Sequence, residues 1–416
     1  MNKKTITIML AYVGVLTGAG LASGQELLQY FVSLGVPGLI GIGVVAILHM
    51  LIGGVILQLG SHYMANDHSD VFDEITNKFI SKFLDLSLIF TCFVIGFVMI
   101  AGAGSNLNQA FGIKNWVGSV ICALLVIGVG MLDFDKVSKV IGSFTPLIII
   151  FTLIASIYTF IKYPMNFDQL EQIALQVPST FDNVIISTIN YFGLCTMTGV
   201  SMAFVLGGDE FNSKEALKGG IFGGLIVGIL GILIALTLFL RIGEVATLDI
   251  PMLYVVTNIN RILGFVMSII IFGMIFNTAV SLFYALARRF SNGDEKKFRI
   301  LLIGITLVGF LLSFGGFKQL VSLFYPIIGY TGMVLLTVLV LSYFREKESI
   351  NVEMKKRYAI SHFMRKKLDD DKVYTRKDKK KLEKLVDSSI IDNEVIKEKA
   401  EETVKEAIEN ESDDQD

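Results

Sequence analysis

The sequence predicts an all-α integral membrane protein: ten transmembrane helices in a five-plus-five inverted repeat, the first and sixth helices broken, followed by a charged cytoplasmic tail. Three observations lead there. The 416 residues are 53% hydrophobic and only 18% charged, and their mean hydropathy of +0.64 exceeds that of soluble globular chains. The charge is unevenly placed: residues 345–416 hold 18 basic and 20 acidic groups, which leaves 18 of each sign for the first 344. Two pairs of helix-breaking features also recur at nearly one offset. So apolar a body excludes a secreted or cytosolic enzyme, and a nucleic-acid binder too, whose basic stripe needs a solvated surface. Cys92, Cys122 and Cys195 lie in apolar runs, so neither a disulfide nor a metal framework is implied.

A helix that crosses a bilayer takes about 20 apolar residues. Such runs fall at roughly 5–34, 37–62, 80–110, 115–132, 137–162, 181–206, 216–241, 261–290, 298–314 and 317–344. The first resembles a signal peptide, with Lys3 and Lys4 ahead of it and small residues at Ala22, Ser23 and Gly24, but the apolar run continues through Phe31 and nine more spans follow. Lys and Arg in the loops set the orientation. With the N-terminus inside, one side collects thirteen, among them Lys3, Lys78, Lys136, Lys214 and Arg289, against Lys114, Lys162, Arg241, Arg261 and Lys318 on the other. That bias puts both termini on the cytoplasmic face of a cell (plasma) membrane.

The repeat rests on two pairs. Pro146 and Pro326 sit mid-span in the fifth and tenth runs, 180 positions apart, and Thr17-Gly18-Ala19-Gly20 and Thr196-Met197-Thr198-Gly199 interrupt the first and sixth at nearly the same separation. Gly and Pro are common in transmembrane helices, but the matching offsets divide a domain of residues 1–344 into repeats at about 5–162 and 181–344. Five spans per repeat turn the second copy upside down. Between the second and third spans, residues 67–79 alternate charged and apolar positions and form a short amphipathic helix, either a gate or an interfacial linker.

The first span carries the strongest local signal, Gly14-Val15-Leu16-Thr17-Gly18-Ala19-Gly20-Leu21-Ala22-Ser23-Gly24-Gln25-Glu26. Each glycine weakens an α-helix by about 1 kcal/mol relative to Ala, and Ser23 with Glu26 three residues on has the form of a capping box. The helix is expected to stop near Thr17 and restart near Ser23, at mid-membrane. Unwound backbone there is tolerated only when buried in protein or lining a polar cavity, so its freed groups become ligands. The restarting half-helix would present its N-terminal dipole and the amides of Ser23 to Gln25 to a carboxylate; the alternative is a glycine-packed crossing with no ligand. Glu26 lies in the hydrocarbon zone, where an acid costs about 2.5–3.5 kcal/mol and needs a partner. It serves either as the cap of Ser23 or as the group that binds a cation, a substrate ammonium or a proton.

The sixth span offers Asn190, Tyr191, Cys195, Thr196, Thr198, Gly199 and Ser201 as a polar cluster facing the first. Asn277, Thr278 and Ser281 of the eighth span share one helix face, and their oxygens opposite the freed carbonyls of the first span form either a sodium cage or interhelical glue. The glycine rows of the seventh span, from Gly219 to Gly231, read as packing. His49, Gln58 and Asp85 are further intramembrane or near-membrane polar groups. In the tail, 355–384 has thirteen basic and five acidic residues and 387–416 has three and twelve. Such blocks are solvated, disordered or exposed helix, and the basic half suits anionic lipid or a cytoplasmic protein partner.

With these residues in view, the chain resembles the YkvI family of bacterial membrane proteins, within the amino acid-polyamine-organocation superfamily of LeuT-type fold. The likeness lies in Ala11-Tyr12-Val13-Gly14 and in Gly18 through Glu26, similar to the family's glycine-rich first helix ending in Ser-Gly-Gln-Glu, and more loosely in 133–146, where Lys136-Val137-Ser138-Lys139 precedes Pro146. It covers about residues 5–344. The resemblance implies a substrate site between the breaks of spans 1 and 6, here Thr17, Gly18, Ala19, Gly20, Ser23 and Gly24 with Tyr191, Thr196, Thr198 and Gly199. It also implies, in sodium-coupled relatives, an ion site between spans 1 and 8, here Gly18, Leu21, Thr278 and Ser281. Those relatives use paired hydroxyls where this chain has Asn277-Thr278.

The expectation is a secondary active transporter, not an enzyme. It would carry a small solute, an amino acid or related amine, by alternating access, with no organic cofactor, and with Na+ or H+ coupled through Glu26, Asn277, Thr278 and Ser281. The alternative is a membrane sensor that uses the same pocket without net transport.

Overall fold

The computed structural model describes residues 3–132, 144–369 and 372–413, and every regular element among them is a helix. The first span is occupied by α1 (Lys3–Leu16), α2 (Ala19–Ser23) and α3 (Gln25–Tyr30), and a 3-10 turn at Val32–Leu34 leads into α4 (Gly35–Tyr63). Then come α5 (His68–Ile75), α6 (Lys78–Phe111), α7 (Asn115–Gly130), α8 (Phe144–Lys162), α9 (Phe167–Ala174), α10 (Val184–Gly208) and α11 (Ser213–Leu240). Short helices α12 (Ile242–Val245) and α13 (Pro251–Ile259) precede α14 (Arg261–Ser291), α15 (Glu295–Ser313) and α16 (Phe317–Leu368). The tail adds α17 (Arg376–Asp387) and α18 (Asn393–Asp413). Lys136-Val137-Ser138-Lys139, read above as the approach to the fifth span, lies outside the described residues.

Seven stretches among the described residues are long and apolar enough to cross a bilayer, and shorter apolar helices cover Lys4–Leu16 and Asn115–Gly130. The chain is an all-α, multi-pass membrane protein. Lipid tails give helices no hydrophobic reason to associate, so close packing of small residues does that work. The glycine rows of α11 show it: a Cβ on Gly220 would enter the Gly53 carbonyl of α4, one on Gly224 the His49 carbonyl, and one on Gly228 the Cβ of Ala46. Gly193 of α10 and Gly332 of α16 meet in the same way.

The expected break in the sixth span is corrected: α10 runs unbroken from Val184 to Gly208. Thr196 and Thr198 do not free the backbone. Their hydroxyls donate back to Phe192 O and Leu194 O, each at 2.8 Å, and Gly199 is the lone glycine of that segment, too few to undo a helix held by its neighbours.

Helix α5 opens on a capping box between Asp67 and Asp70 and buries Val71, Phe72 and Ile75, so one face of this linker belongs to the core. The tenth span does not end at the bilayer. Helix α16 is 52 residues long and continues to Leu368, carrying position 344 inside it. Ile360 and Met364 of that extension pack with Leu382, Val386, Ile396, Ala400 and Val404 of the tail onto Met64 and Phe211. Buried Arg357 donates to Ser61 O at 2.7 Å and His62 O at 2.6 Å, while Lys4 pairs with Glu406 at 2.9 Å and Lys399 with Asp209 at 3.2 Å. The charged tail is thus fastened to the ends of α1, α4 and α10.

Candidate functional site

The site is built on two changes of direction in the first span. Helix α1 stops where the four-residue ladder meets Thr17, whose hydroxyl donates to Val13 O at 2.7 Å, and Gly18 is extended at φ −68°, ψ −179°. One turn and a half later, Gly24 adopts φ +78°, ψ −4°, the left-handed region that favours glycine, and α3 leaves at a new angle. The sequence expectation of a mid-span interruption between Thr17 and Ser23 therefore holds, with the short α2 inside it.

The capping box does not form. Ser23 ends α2 rather than preceding a helix; its hydroxyl donates to Gly20 O at 2.8 Å and accepts from Gln25 N–H at 3.2 Å. The Glu26 side chain turns the other way. It lies over Gly20, where a Cβ would collide with its carboxyl group, and Tyr191 and Tyr325 hydrogen-bond to it. Two phenol donors on facing helices outcompete a single local N–H. The expected carboxylate-binding amides are also taken, since Gly24 N–H donates to Leu21 O at 3.2 Å and Gln25 N–H is held by Ser23.

Beside this break is a cavity of about 80 Å³. A water needs roughly 10–15 Å³ on that scale, so the space holds several waters or one small solute. Its polar lining is Glu26, His49, Tyr191, Cys195, Thr198, Thr278 and Tyr325, and its apolar lining includes Leu16, Val45, Ile95, Met99, Leu194 and Val227. Helices α1 to α4, α6, α10, α11, α14 and α16 all contribute. Glu26 is the one formally charged residue among these lining groups.

Of the residues singled out from sequence, Gly18, Gly20, Leu21, Glu26, His49, Tyr191, Cys195, Thr198, Gly199 and Thr278 are brought together here. The others are not part of the lining. Thr17 faces a side pocket with Ala22 and Thr152, Ala19 begins α2, and Ser23 is bonded within the break. Gly24 packs against Met252 and Leu238, and Thr196 is buried with its hydroxyl on its own helix. On α14, Thr278 donates to Met274 O at 3.0 Å. Asn277 Oδ1 is buried without a hydrogen-bond partner among the described residues, and Ser281 is half-buried outside the lining. Tyr325 escaped the sequence reading; its one cue was its place beside Pro326. The side chain of Gln25, fully buried with both amide atoms unpartnered among the described residues, escaped it too, since only its backbone amide enters that reading.

Two side-chain clusters lie toward opposite ends of α10, and of their members only Tyr191 lines the cavity. On the α3 side, Tyr30, Phe31, Phe181 and Tyr191 form an aromatic cluster with contacting ring centroids 5.1 to 6.4 Å apart, and Tyr30 OH donates to Asn190 Oδ1 at 3.2 Å. At the end where the tail docks, Arg289 holds both Asp85 oxygens at 2.5 and 2.6 Å. His68 there bridges Asp85 and Ser201, at 3.1 Å each, which ties α5, α6, α10 and α14 together.

Comparison with known proteins bears on what this arrangement is. No family model matches the chain. It is 25% identical over 337 residues to the membrane protein YkvI of Bacillus subtilis (strain 168), covering 80% of this chain and 94% of that one. To YyaD of the same organism it is 25% identical over 334 residues, covering 80% and 95%. The chain is a homologue of YkvI. Among solved structures it superposes on MhsT in complex with L-phenylalanine at a TM-score of 0.56 and 13% identity, with 96% and 97% of the chains covered. On Mhp1 in its inward-facing conformation the TM-score is 0.53 at 14% identity, over 82% and 76%. Both are LeuT-fold transporters, and at these identities the likeness is one of fold.

Proposed function

We propose that this protein is a secondary active transporter that moves a small solute, an amino acid or related amine, across the cell membrane by alternating access. The observation that carries the reading is the cavity at the unwound segment of the first span, with Glu26 across the break and a side-chain cluster toward each end of α10. Alternating access needs this: one central site and two barriers that open in turn. The positive-inside bias supports ten spans with both termini cytoplasmic, so the Asp85–Arg289–His68 cluster is the inner barrier and the aromatic cluster the outer one. The matching proline offset supports the five-plus-five repeat, although its copies differ in that only the first span is broken. MhsT holds an amino acid, which favours a solute of that size. Thr278 at the cavity wall supports an ion site made with Gly18, Leu21 and Ser281, and Glu26 is the candidate proton carrier.

The test is uptake. Proteoliposomes loaded with purified protein should accumulate a labelled amino acid or amine under an imposed Na+ or H+ gradient and lose that accumulation when an ionophore collapses it. One observation favours a second reading: the tail grips the ends of α1, α4 and α10, so a solute-dependent shift of those helices would reach it. A sensor would bind solute and alter the exposure of the tail, yet accumulate nothing.

A further inference from the structure

We infer that the solute carries a cationic amine, seated by its ammonium on the Glu26 carboxyl between Tyr191 and Tyr325, and that amine and proton take turns there, so that transport is exchange of one for the other. This rests on the transporter reading above and narrows it. No Lys or Arg lines the cavity among the described residues, and Glu26 has no fixed counter-cation. An ionised carboxylate accepts about four hydrogen bonds; the two phenols supply two, and the remaining lone pairs are left for a ligand N–H. Tyr191 and Tyr325 both line the cavity, and the electron-rich face of a tyrosine ring attracts an ammonium. His49 Nδ1 lies 3.0 Å from Val45 O and must donate to it, which leaves Nε2 of the neutral ring as an acceptor. The amides a solute carboxylate would need at Gly24 and Gln25 are spent inside the break. Val45, Ile95, Met99 and Leu194 suit a short aliphatic or aromatic body.

Exchange follows from electrostatics. An unpaired carboxylate in a low-dielectric cavity is costly, so this apolar-lined cavity favours that charge neutralised, by a proton or by an ammonium. Both claim the same oxygens. The titratable groups facing Glu26 are Tyr30 of α3, His49 of α4, Tyr191 and Cys195 of α10 and Tyr325 of α16; α6, α11 and α14 present none to the cavity.

Thermal unfolding of the full purified chain tests this with probes that share one body: isoamylamine, isoamyltrimethylammonium, isoamyl alcohol, 4-methylvalerate and leucine, and the matching phenethyl series. The amines should raise the midpoint, and the alcohols and acids should not. The shift given by the quaternary probe, whose own charge is fixed, should grow as the pH rises and Glu26 loses its proton. Glu26→Gln should weaken amine affinity at least about tenfold, and His49→Gln should keep the pH dependence. Alcohols or acids that stabilise as well as amines, an amine shift that survives in Glu26→Gln, or no amine shift at all would overturn the amine class. A quaternary shift that is flat with pH overturns the exchange. The transporter reading fails separately: amines that bind without any solute accumulating in proteoliposomes leave the class standing and remove transport, while accumulation of a non-amine does the reverse.

Discussion

Two neighbouring glycines of the first span should respond in opposite ways to the same methyl group. At Gly24 an alanine Cβ would stand 2.9 Å from Met252 Cγ and 3.0 Å from Leu238 Cδ1, on a backbone at φ +78°. The left-handed conformation costs an alanine about 1–2 kcal/mol and overpacking about 1–3, so Gly24→Ala should lose roughly 2–5 kcal/mol. At Gly18 nothing lies within 4 Å of the added Cβ and φ is −68°. Gly18→Ala should therefore melt like wild type while narrowing the cavity and weakening solute binding. A thiol-reactive dye that reports exposure of Cys122, fully buried in the fold, gives the unfolding midpoint in detergent. An unchanged midpoint in Gly24→Ala would refute the kinked junction of α2 and α3, and with it the argument that places Glu26 over Gly20.

Three further outcomes follow from the same structure. Arg357→Ala leaves Glu353 buried at 2% exposure without its guanidinium, a loss of about 3–5 kcal/mol that should appear as faster amide exchange in α17 and α18 with the membrane helices unaffected. Burial raises the Glu210 carboxyl above the usual range despite the Asn212 amide that it accepts; its ionised form therefore opposes folding, so Glu210→Gln should melt higher than wild type at neutral pH, and the gap should close as the pH falls through the raised pKa and the wild-type carboxyl protonates. On a background lacking the native cysteines, a cysteine at Asn166 should label from outside and one at Asn292 from inside; labelling of both from one face sinks the ten-span topology.

What was legible in the sequence was where the backbone departs from a helix. Gly14, Gly18, Gly20 and Gly24 mark a real break because helix propensity is local and additive. The same reasoning failed at Thr196 to Gly199, where two hydroxyls return their bonds to the preceding turn and one glycine cannot offset a packed helix. In the tail, the exposed-helix reading foresaw helix and missed its packing. The tail's charge density suggested solvation, but Leu382 with Val386 and Ile396 with Ala400 and Val404 repeat at four-residue spacing, and such a stripe packs whenever a partner face exists. That partner, the stretch of α16 beyond the bilayer, was hidden because hydropathy marks where a span leaves the lipid and says nothing of where its helix stops.

The site itself was legible on one side only. A break announces itself in one stretch of sequence, whereas a cavity is lined by whatever distant helices bring to it: His49 is marked only as a polar residue in an apolar run, and Tyr325 has no local mark of its role. Glu26 shows how the two interact. Read locally, Ser23 and Glu26 satisfy the capping pattern, and that pattern loses because Gly20 leaves space for the carboxyl and α10 and α16 each deliver a phenol to it. The consequence is an asymmetric cavity. The first span contributes an opened backbone and a carboxyl, while the unbroken α10 contributes side chains alone, so the two faces of the cavity differ in chemistry. Mobility should be divided in the same way. Rotation about Gly18 and Gly24 can move α1 without moving α3, but α10 can move only as one rod, carrying Tyr191 at the cavity and Ser201 at the His68–Asp85 cluster together.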